Sequence, residues 1–427
     1  MTTERINFAG DVTIEKANLM SYDLTTYSIK NQLVSIQIFE DLFSPFITGI
    51  LTFKDSLDFM NALPVIGQEV LDLDIYTPTL KDKNGRIKGQ FYISEFKNRE
   101  FVGDRSVVYE LAFISKESIA DINIKLSKSY QGKISDVAKQ VLTDNLVKFD
   151  VVKKLNIEPT KNSVKYVSNY WSPVRNMNYL ADYALNETGS PSYIFFENRD
   201  GFNFGSLETL AKSETIAQEF RYDNSTQSVS PTGGSSRDIN RDYQRITQFS
   251  LKNGFNLVKR LNSGMMASAA FGYDITTKRF QIKPFDYFAS FKERKHLNDH
   301  PLVNNKIPMY YTAKILYAPN PYENFTDYGS NTNFSYIQKR ISEIQQGSDF
   351  RIEINVPGRF DYTVGQVVRI TSFQIEPLTK TESNKSQLDA IFSGKYMVSA
   401  INHYVTRTQH QCSIELVKDS YISSFTK

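Results

Sequence analysis

The sequence predicts an α+β, predominantly β fold, with two antiparallel β units from an internal duplication flanking a mixed α/β middle region. Three observations carry that prediction. Thirty Phe and twenty-five Tyr against a single Trp in 427 residues make a strand-favouring composition. Through residue 118, like side chains fall two positions apart, as in Leu33-Val34-Ser35-Ile36-Gln37-Ile38 and Leu71-Asp72-Leu73-Asp74-Ile75, the period of half-buried strands. Blocks from that stretch then return near the C-terminal end.

Along the first unit, Ser44-Pro45, Asn84-Gly85 and Gly103-Asp104 supply turns spaced for an antiparallel meander or barrel. After Ser118 the period lengthens. Ile134, Val137, Ala138, Val141, Leu142 and Leu146 make a helical stripe that Ser135 is placed to cap. Pro173 after Ser172 opens a second helix through Leu185, with Gly189 as its stop. Tyr193–Phe196 and Phe202–Phe204 flank Glu197-Asn198-Arg199-Asp200-Gly201 as a hairpin. Residues 224–236 carry little to bury and read as a loop, strand-like sequence resumes over 244–251, and 298–333 is irregular. Ser335-Tyr336-Ile337-Gln338 forms a capping box for a short helix with Ile337, Ile341 and Ile344 inward, ended by Gly347.

The repeat is the most informative feature. Ile66-Gly67-Gln68-Glu69-Val70 returns as Val364-Gly365-Gln366-Val367-Val368, and Lys88-Gly89 to Phe96 as Ser393-Gly394 to Ile401. Tyr109–Ser118 parallels Gln411–Ser420, with the same closing Lys-acid-Ser. The offsets, 365 − 67 = 298, 394 − 89 = 305 and 420 − 118 = 302, differ only as loop insertions would allow, Thr379–Gln387 being the obvious one. Gly67, Gln68, Gly89, Gly365, Gln366 and Gly394 are therefore read as structural positions, the glycines entering strands through bulges or tight turns. This alignment sets Asp72 and Asp74 against Ile370 and Ser372, on the opposite strand face from the polar Arg369 and Thr371. A bulge or a register slip is needed there.

Composition excludes several function classes. With 40% hydrophobic and 23% charged residues the chain is neither disordered nor collagen-like, and no run approaches the ~18 apolar residues of a membrane helix, so no membrane anchoring is expected. A net charge of +3 is too small to hold a polyanion by bulk electrostatics. Cys412 is the single cysteine, and Met1-Thr2-Thr3-Glu4-Arg5 lacks a secretory pattern, so folding in a reducing cytoplasm is expected. His296 and His300 lie at i and i+4, but Leu297 stands where a zinc protease needs Glu and Pro301 follows, so they read as surface histidines and no metal is expected. His410 and Cys412 share a strand face, read as ordinary packing. Hydrolase-elbow, phosphate-loop and dinucleotide motifs are absent, and carboxylate pairs such as Glu40-Asp41 are expected by chance among 47 acidic residues, so neither catalytic residues nor a cofactor are assigned. The aromatic cluster Tyr310, Tyr311, Tyr317, Tyr322, Phe325 and Tyr328 suits a protein contact, with carbohydrate stacking or packing within the domain as alternatives.

Leu126-Ser127-Lys128-Ser129-Tyr130-Gln131-Gly132-Lys133-Ile134-Ser135-Asp136, the Trp171-Ser172-Pro173 helix with Tyr193–Phe202, and Val356-Pro357-Gly358 before Val364-Gly365-Gln366 resemble, in that order and with the duplication, a known family. It is the central baseplate hub protein of contractile-tailed bacteriophages, related to the hub region of type VI secretion spike proteins. The resemblance implies a homotrimer with two tube-like β-barrels per subunit. Such a pseudo-hexameric ring adapts a hexameric tail tube to a trimeric central spike among other baseplate subunits, and DNA passes its lumen as non-specific cargo. It places the chain in the virion tail baseplate, assembled in the host cytoplasm. On that pattern the first barrel is 1–120 and the second combines 215–260 with 345–420. The middle region is 121–214 with 261–344, and 421–427 is a tail.

Local charge fits that picture. Residues 1–121 hold 12 Lys/Arg and 18 Asp/Glu, 12 − 18 = −6, whereas 237–306 hold 13 and 6, 13 − 6 = +7. Asp72 and Asp74 are candidate lumen acids that would keep DNA from adhering, against the plainer reading of a solvated strand face. Competing classes are a carbohydrate-binding or depolymerising β protein, expected to cluster a carboxylate pair, and the hub part of a type VI-like injection spike, expected to carry a long C-terminal spike where this sequence stops seven residues after Ser420.

Overall fold

The computed structural model describes residues 8–56, 65–78, 80, 84–103, 105–147, 153–222, 239–274, 278–303, 314–319, 334–373 and 388–423. The first unit contains β1 (Thr13–Met20), β2 (Thr26–Ser28), β3 (Leu33–Asp41), β4 (Thr48–Asp55), β5 (Val70–Tyr76), β6 (Arg86–Phe101) and β7 (Val107–Ser115). The middle begins with β8 (Ser129–Lys133), β9 (Lys154–Ile157), β10 (Ser163–Val167), β11 (Tyr193–Asn198) and β12 (Gly201–Ser206). Then come β13 (Ile216–Tyr222), β14 (Gln248–Asn253), β15 (Ala267–Asp274), β16 (Arg279–Asp286), β17 (His300–Pro301) and β18 (Ile315–Pro319). The chain finishes with β19 (Phe350–Pro357), β20 (Val367–Ser372), β21 (Gly394–Val405), β22 (His410–Lys418) and β23 (Ser420–Tyr421).

Alternation works as read from the sequence: β4 and β7 turn Leu51, Phe53, Tyr109, Leu111 and Phe113 into one core with Leu71, Leu73 and Ile75 of β5. A second core gathers Ile352, Ile354, Val367, Ile370, Tyr396, Ile401, Ile414 and Leu416. Between them a third packs the helices Ile134–Asn145 and Pro173–Tyr183 against Phe195, Phe202 and Phe204. Both end units belong to one thirteen-stranded sheet, β14-β19-β22-β21-β3-β4-β7-β6-β5-β1-β2, with β20 also on β21 and β13 on β20. Its pairs are antiparallel except β13 with β20. Among the described residues no sheet closes into a barrel. The expectation of tube-like barrels is corrected to an open sheet, because β3 pairs with β21 and so fuses the units edge to edge. No helix of the described residues is long and apolar enough to cross a membrane.

Three local expectations fail for identifiable reasons. Ser135 is not a cap: the helix starts at Ile134, and Thr160 Oγ1 accepts the Ser135 N–H at 2.9 Å from a distant loop. Pro173 and Ser172 do open their helix, Ser172 Oγ accepting from Arg175 N, but it stops at Tyr183 because Ala184 turns extended, and Gly189 serves a later turn. The last helix, Ile337–Asp349, has no side-chain cap, and its buried face is polar: Gln338, Ser342, Glu343 and Gln346. Those groups are buried because they are bonded, Ser342 to the Met265 carbonyl at 2.7 Å and Gln338 to the Ser268 carbonyl at 2.9 Å.

Candidate functional site

The feature best placed to act is the long sheet itself, through its seam and its free edges. Strands β3-β4-β7-β6-β5 and β14-β19-β22-β21-β20 follow the same order with every pair antiparallel. One irregularity coincides as well, although the ladder of β6 with β7 has a second shift, between Phe96 and Asn98, that β21 with β22 lacks. The ladder of β6 with β7 skips a residue between Ile93 and Glu95, and that of β21 with β22 between Val398 and Ala400, so the bulges fall on Ser94 and Ser399. Ile93 N donates to Glu69 O at 3.0 Å, as Val398 N does to Gln366 O at 2.9 Å, and Gly67 and Gly365 turn into the next strand with φ of 93° and 84°.

This register removes the sequence alignment's conflict. Val70 pairs with Tyr92 and Val367 with Met397, so Asp72 corresponds to Arg369 and Asp74 to Thr371, all on one face. The first turn is one residue longer, which places Glu69, not Gln68, in the role of Gln366. Gly89 and Gly394 share a ladder position, opposite Leu73 and Ile370, but only Gly394 has a positive φ, 129°, and a Cβ there would meet Ile422 and Asn298.

The two units differ in what covers their longest strand. In β21 the first half pairs with β20 and the second with β3, from Ala400 opposite Asp41 to Val405 opposite Ile36. In β6 the first half pairs with β5, but among the described residues no strand covers the second half, and residues 94–101 are exposed. The outer edge of β14, the positional equivalent of β3, is likewise uncovered among the described residues. Large apolar side chains stand out at both edges: Phe101 is 69% exposed on β6 and Leu251 49% on β14. Sequence reading missed these edges. β6 has 16 residues against seven in β5, so among the described residues its second half pairs with β7 alone.

Of the candidate lumen acids, Asp74 is only 2% exposed and ion-paired with Arg86, whose Nε donates to it at 2.6 Å, while Asp72 is half-buried. Tyr317 is 80% exposed on β18 and stacks on Phe271, whereas Tyr310, Tyr311, Tyr322, Phe325 and Tyr328 lie outside the described residues, as does Thr379–Gln387. His296 is no surface histidine: Asp419 accepts from its Nδ1 at 2.8 Å and its ring stacks on Phe291. Burial would raise the Asp419 carboxyl, but the His296 hydrogen bond, with Arg294 nearby, holds it well below the usual range.

A cleft of about 370 Å³ opens between β6 and the β11–β12 hairpin, lined by Lys116, Lys153, Arg199, Glu117 and Glu197 among others. Its charges answer one another. Lys153 bridges Glu117, at 2.6 Å, and Glu197, and although burial opposes its charge these two carboxylates raise its pKa. Glu197 also accepts the Ile47 N–H at 3.0 Å, tying the middle region to the first unit. This arrangement is a polar rivet.

The architecture falls in a recognisable class: it is a phage tail-protein fold. The tail protein from Neisseria meningitidis MC58 superposes with a TM-score of 0.54 at 9% identity, covering 95% of this chain and 96% of that one. The 43 kDa tail protein of prophage MuSo2 from Shewanella oneidensis gives 0.54 at 10% identity, over 95% and 99%. No family model and no curated protein matches the sequence. At the level of fold, the sequence's likeness to phage baseplate proteins is matched as a likeness to phage tail proteins.

Proposed function

We propose that the chain is a structural hub subunit of a phage-type tail baseplate, without catalytic activity of its own. Three copies join head to tail, six similar sheet units surround an axis, and the ring adapts a hexameric tail tube to a trimeric central spike, with other baseplate subunits outside and DNA passing through the lumen. The reading treats the two units as copies of one ancestral module: 1–120, and 215–260 with 345–420. Residues 121–214 and 261–344 form the middle, and 421–427 a tail. It places the protein in the virion tail, assembled in the host cytoplasm.

One observation carries it: the chain makes, at β21 with β3, the junction that its described residues do not make at β6 and β14. Repeating that junction between copies sets the second half of β6 antiparallel to β14 of the next copy, with Phe101 opposite Phe249 and Arg99 opposite Leu251. Such a heterologous contact closes into a ring when its rotation allows. The charge asymmetry, −6 over 1–121 against +7 over 237–306, favours unlike ends meeting. Asp72, facing outward from the core, remains the lumen candidate, and Asp74 contributes little field because Arg86 neutralises it. Tyr317 and the neighbouring aromatics are assigned to a spike or subunit contact.

Electron microscopy of the purified protein, alone and mixed with its cognate spike, tests the reading. A three-fold ring with six outer lobes is expected, and monomers persisting in both samples overturn it.

A further inference from the structure

The chain has four histidines and one cysteine, and the fold brings two of those histidines and the cysteine to one buried point. His403 on β21 lies opposite Cys412 on β22, and His410, two residues before Cys412, points to the same side. His403 Nδ1 is 3.0 Å from His410 Nε2, and Cys412 Sγ is 3.3 Å from the first nitrogen and 3.4 Å from the second. All three side chains are buried.

We infer that His403, His410 and Cys412 form a structural metal centre for a single zinc ion at the junction of the two sheet units. Zinc bonds to imidazole nitrogen at about 2.0–2.1 Å and to thiolate at about 2.3 Å, so neighbouring ligands of a tetrahedral ion stand roughly 3.3–3.6 Å apart. The observed triangle is one slightly tightened face of such a tetrahedron, and nitrogen with sulfur is the donor set that zinc favours over hard cations.

The centre is closed off, and among the described residues neither His403 Nε2 nor His410 Nδ1 has a hydrogen-bond partner, so outside the triad packing alone orients the two rings. Both imidazoles are buried and turn a ring nitrogen toward the Cys412 sulfur. The Cys412 side chain is fully buried, out of reach of a substrate. On loading, the Cys412 sulfur gives its proton to solvent and bonds to the ion as thiolate, leaving one net positive charge at the centre.

The rings are held by shape. Phe360 stacks on both, at 4.2 Å from His410 and 5.3 Å from His403, and a Cβ on Gly358 would fall 2.3 Å from the His410 ring. The centre also sits where chain segments meet. His403 is opposite Ile38 of β3, His410 N donates to Gly10 O at 2.7 Å, and Gly358 N donates to His410 O at 2.8 Å. An ion there ties β21 to β22 directly beneath the junction with β3.

The test uses the full chain without a histidine tag, unfolded and refolded with zinc or with chelator, then freed of loose metal and measured by elemental analysis. About one zinc per chain is expected, with a higher melting temperature in the zinc-refolded sample. Refolding with cobalt should give the thiolate-to-metal absorption of a tetrahedral site. Cys412→Ser should abolish that band, and His403→Gln should weaken zinc retention at least tenfold. Cys412→Ala, which removes the sulfur without adding bulk, separates metal loss from misfolding: it should fold, hold no zinc and melt at the same temperature with or without it. A wild-type protein that refolds with no bound zinc, no cobalt band and no zinc-dependent melting shift overturns the inference.

Discussion

The same pair of long strands ends in two different ways. In the second unit the far half of β21 is covered by β3, and the residues at its end are His403, Cys412 and His410, all buried. In the first unit the corresponding ladder positions on β6 and β7 are Arg99, Tyr109 and Val107, and the far half of β6 projects with Phe101 in the open. Backbone plan is shared and side-chain choice is not. The difference teaches that a strand's further neighbour decides its composition: a covered edge tolerates close-packed imidazoles and a thiol, whereas the uncovered edge carries an exposed aromatic after Arg99 and Glu100.

Breaking the uncovered edges should have the largest effect. Phe101→Asp and Leu251→Asp should each weaken assembly by about two orders of magnitude or more in sedimentation or mass photometry. Each should change monomer stability by only about 0.5 kcal/mol, because both side chains are exposed. Mixing the two variants sharpens the comparison, since each retains the edge that the other lost. A head-to-tail contact predicts that only the mixture forms dimers, which cannot close, whereas a contact between like edges would leave one variant associating by itself and the other monomeric.

On the covered side, Gly358→Ala drives a methyl into the His410 ring and should cost about 2–3 kcal/mol in urea unfolding, the usual range for overpacking. Lys418 probes the same unit through pH. Its side chain is buried among Phe350, Tyr396 and Tyr421, and burial lowers its pKa to about 7. Between about pH 7 and the usual lysine value the unfolded chain binds the extra proton, so stability rises with pH across that window. Relative to Lys418→Met, wild type should gain about 1–3 kcal/mol from pH 7 to about 9.5. A flat difference would mean that the three aromatic rings keep the ammonium charged. The smallest effects test the shared plan: Gly67→Ala and Gly365→Ala should each cost about 1–2 kcal/mol, since both need positive φ. Unequal costs would mark the turns as unlike.

What was legible in the sequence was local. Gly67 and Gly365 announce turns because positive φ favours glycine, and Ser94 and Ser399 fall at matching places in blocks that align by eye. What escaped notice depends on distant partners. The pairing of His403 with Ile38 joins residues far apart in the chain and leaves no periodic trace in either strand. Helix Ile337–Asp349 misled because its inward face is polar, its Gln and Ser answered by carbonyls of Ser268 and Met265. The histidine–cysteine triad was half visible, since His410 and Cys412 share a face, but His403 joins them only across the hairpin.

Because β21 is held by β20 along its first half and by β3 along its second, one unbroken length of peptide belongs to both units. A pull that tries to separate them along that strand loads many cross-strand bonds in shear at once, instead of peeling them one by one. Under mechanical load, that is the tougher way to be spliced.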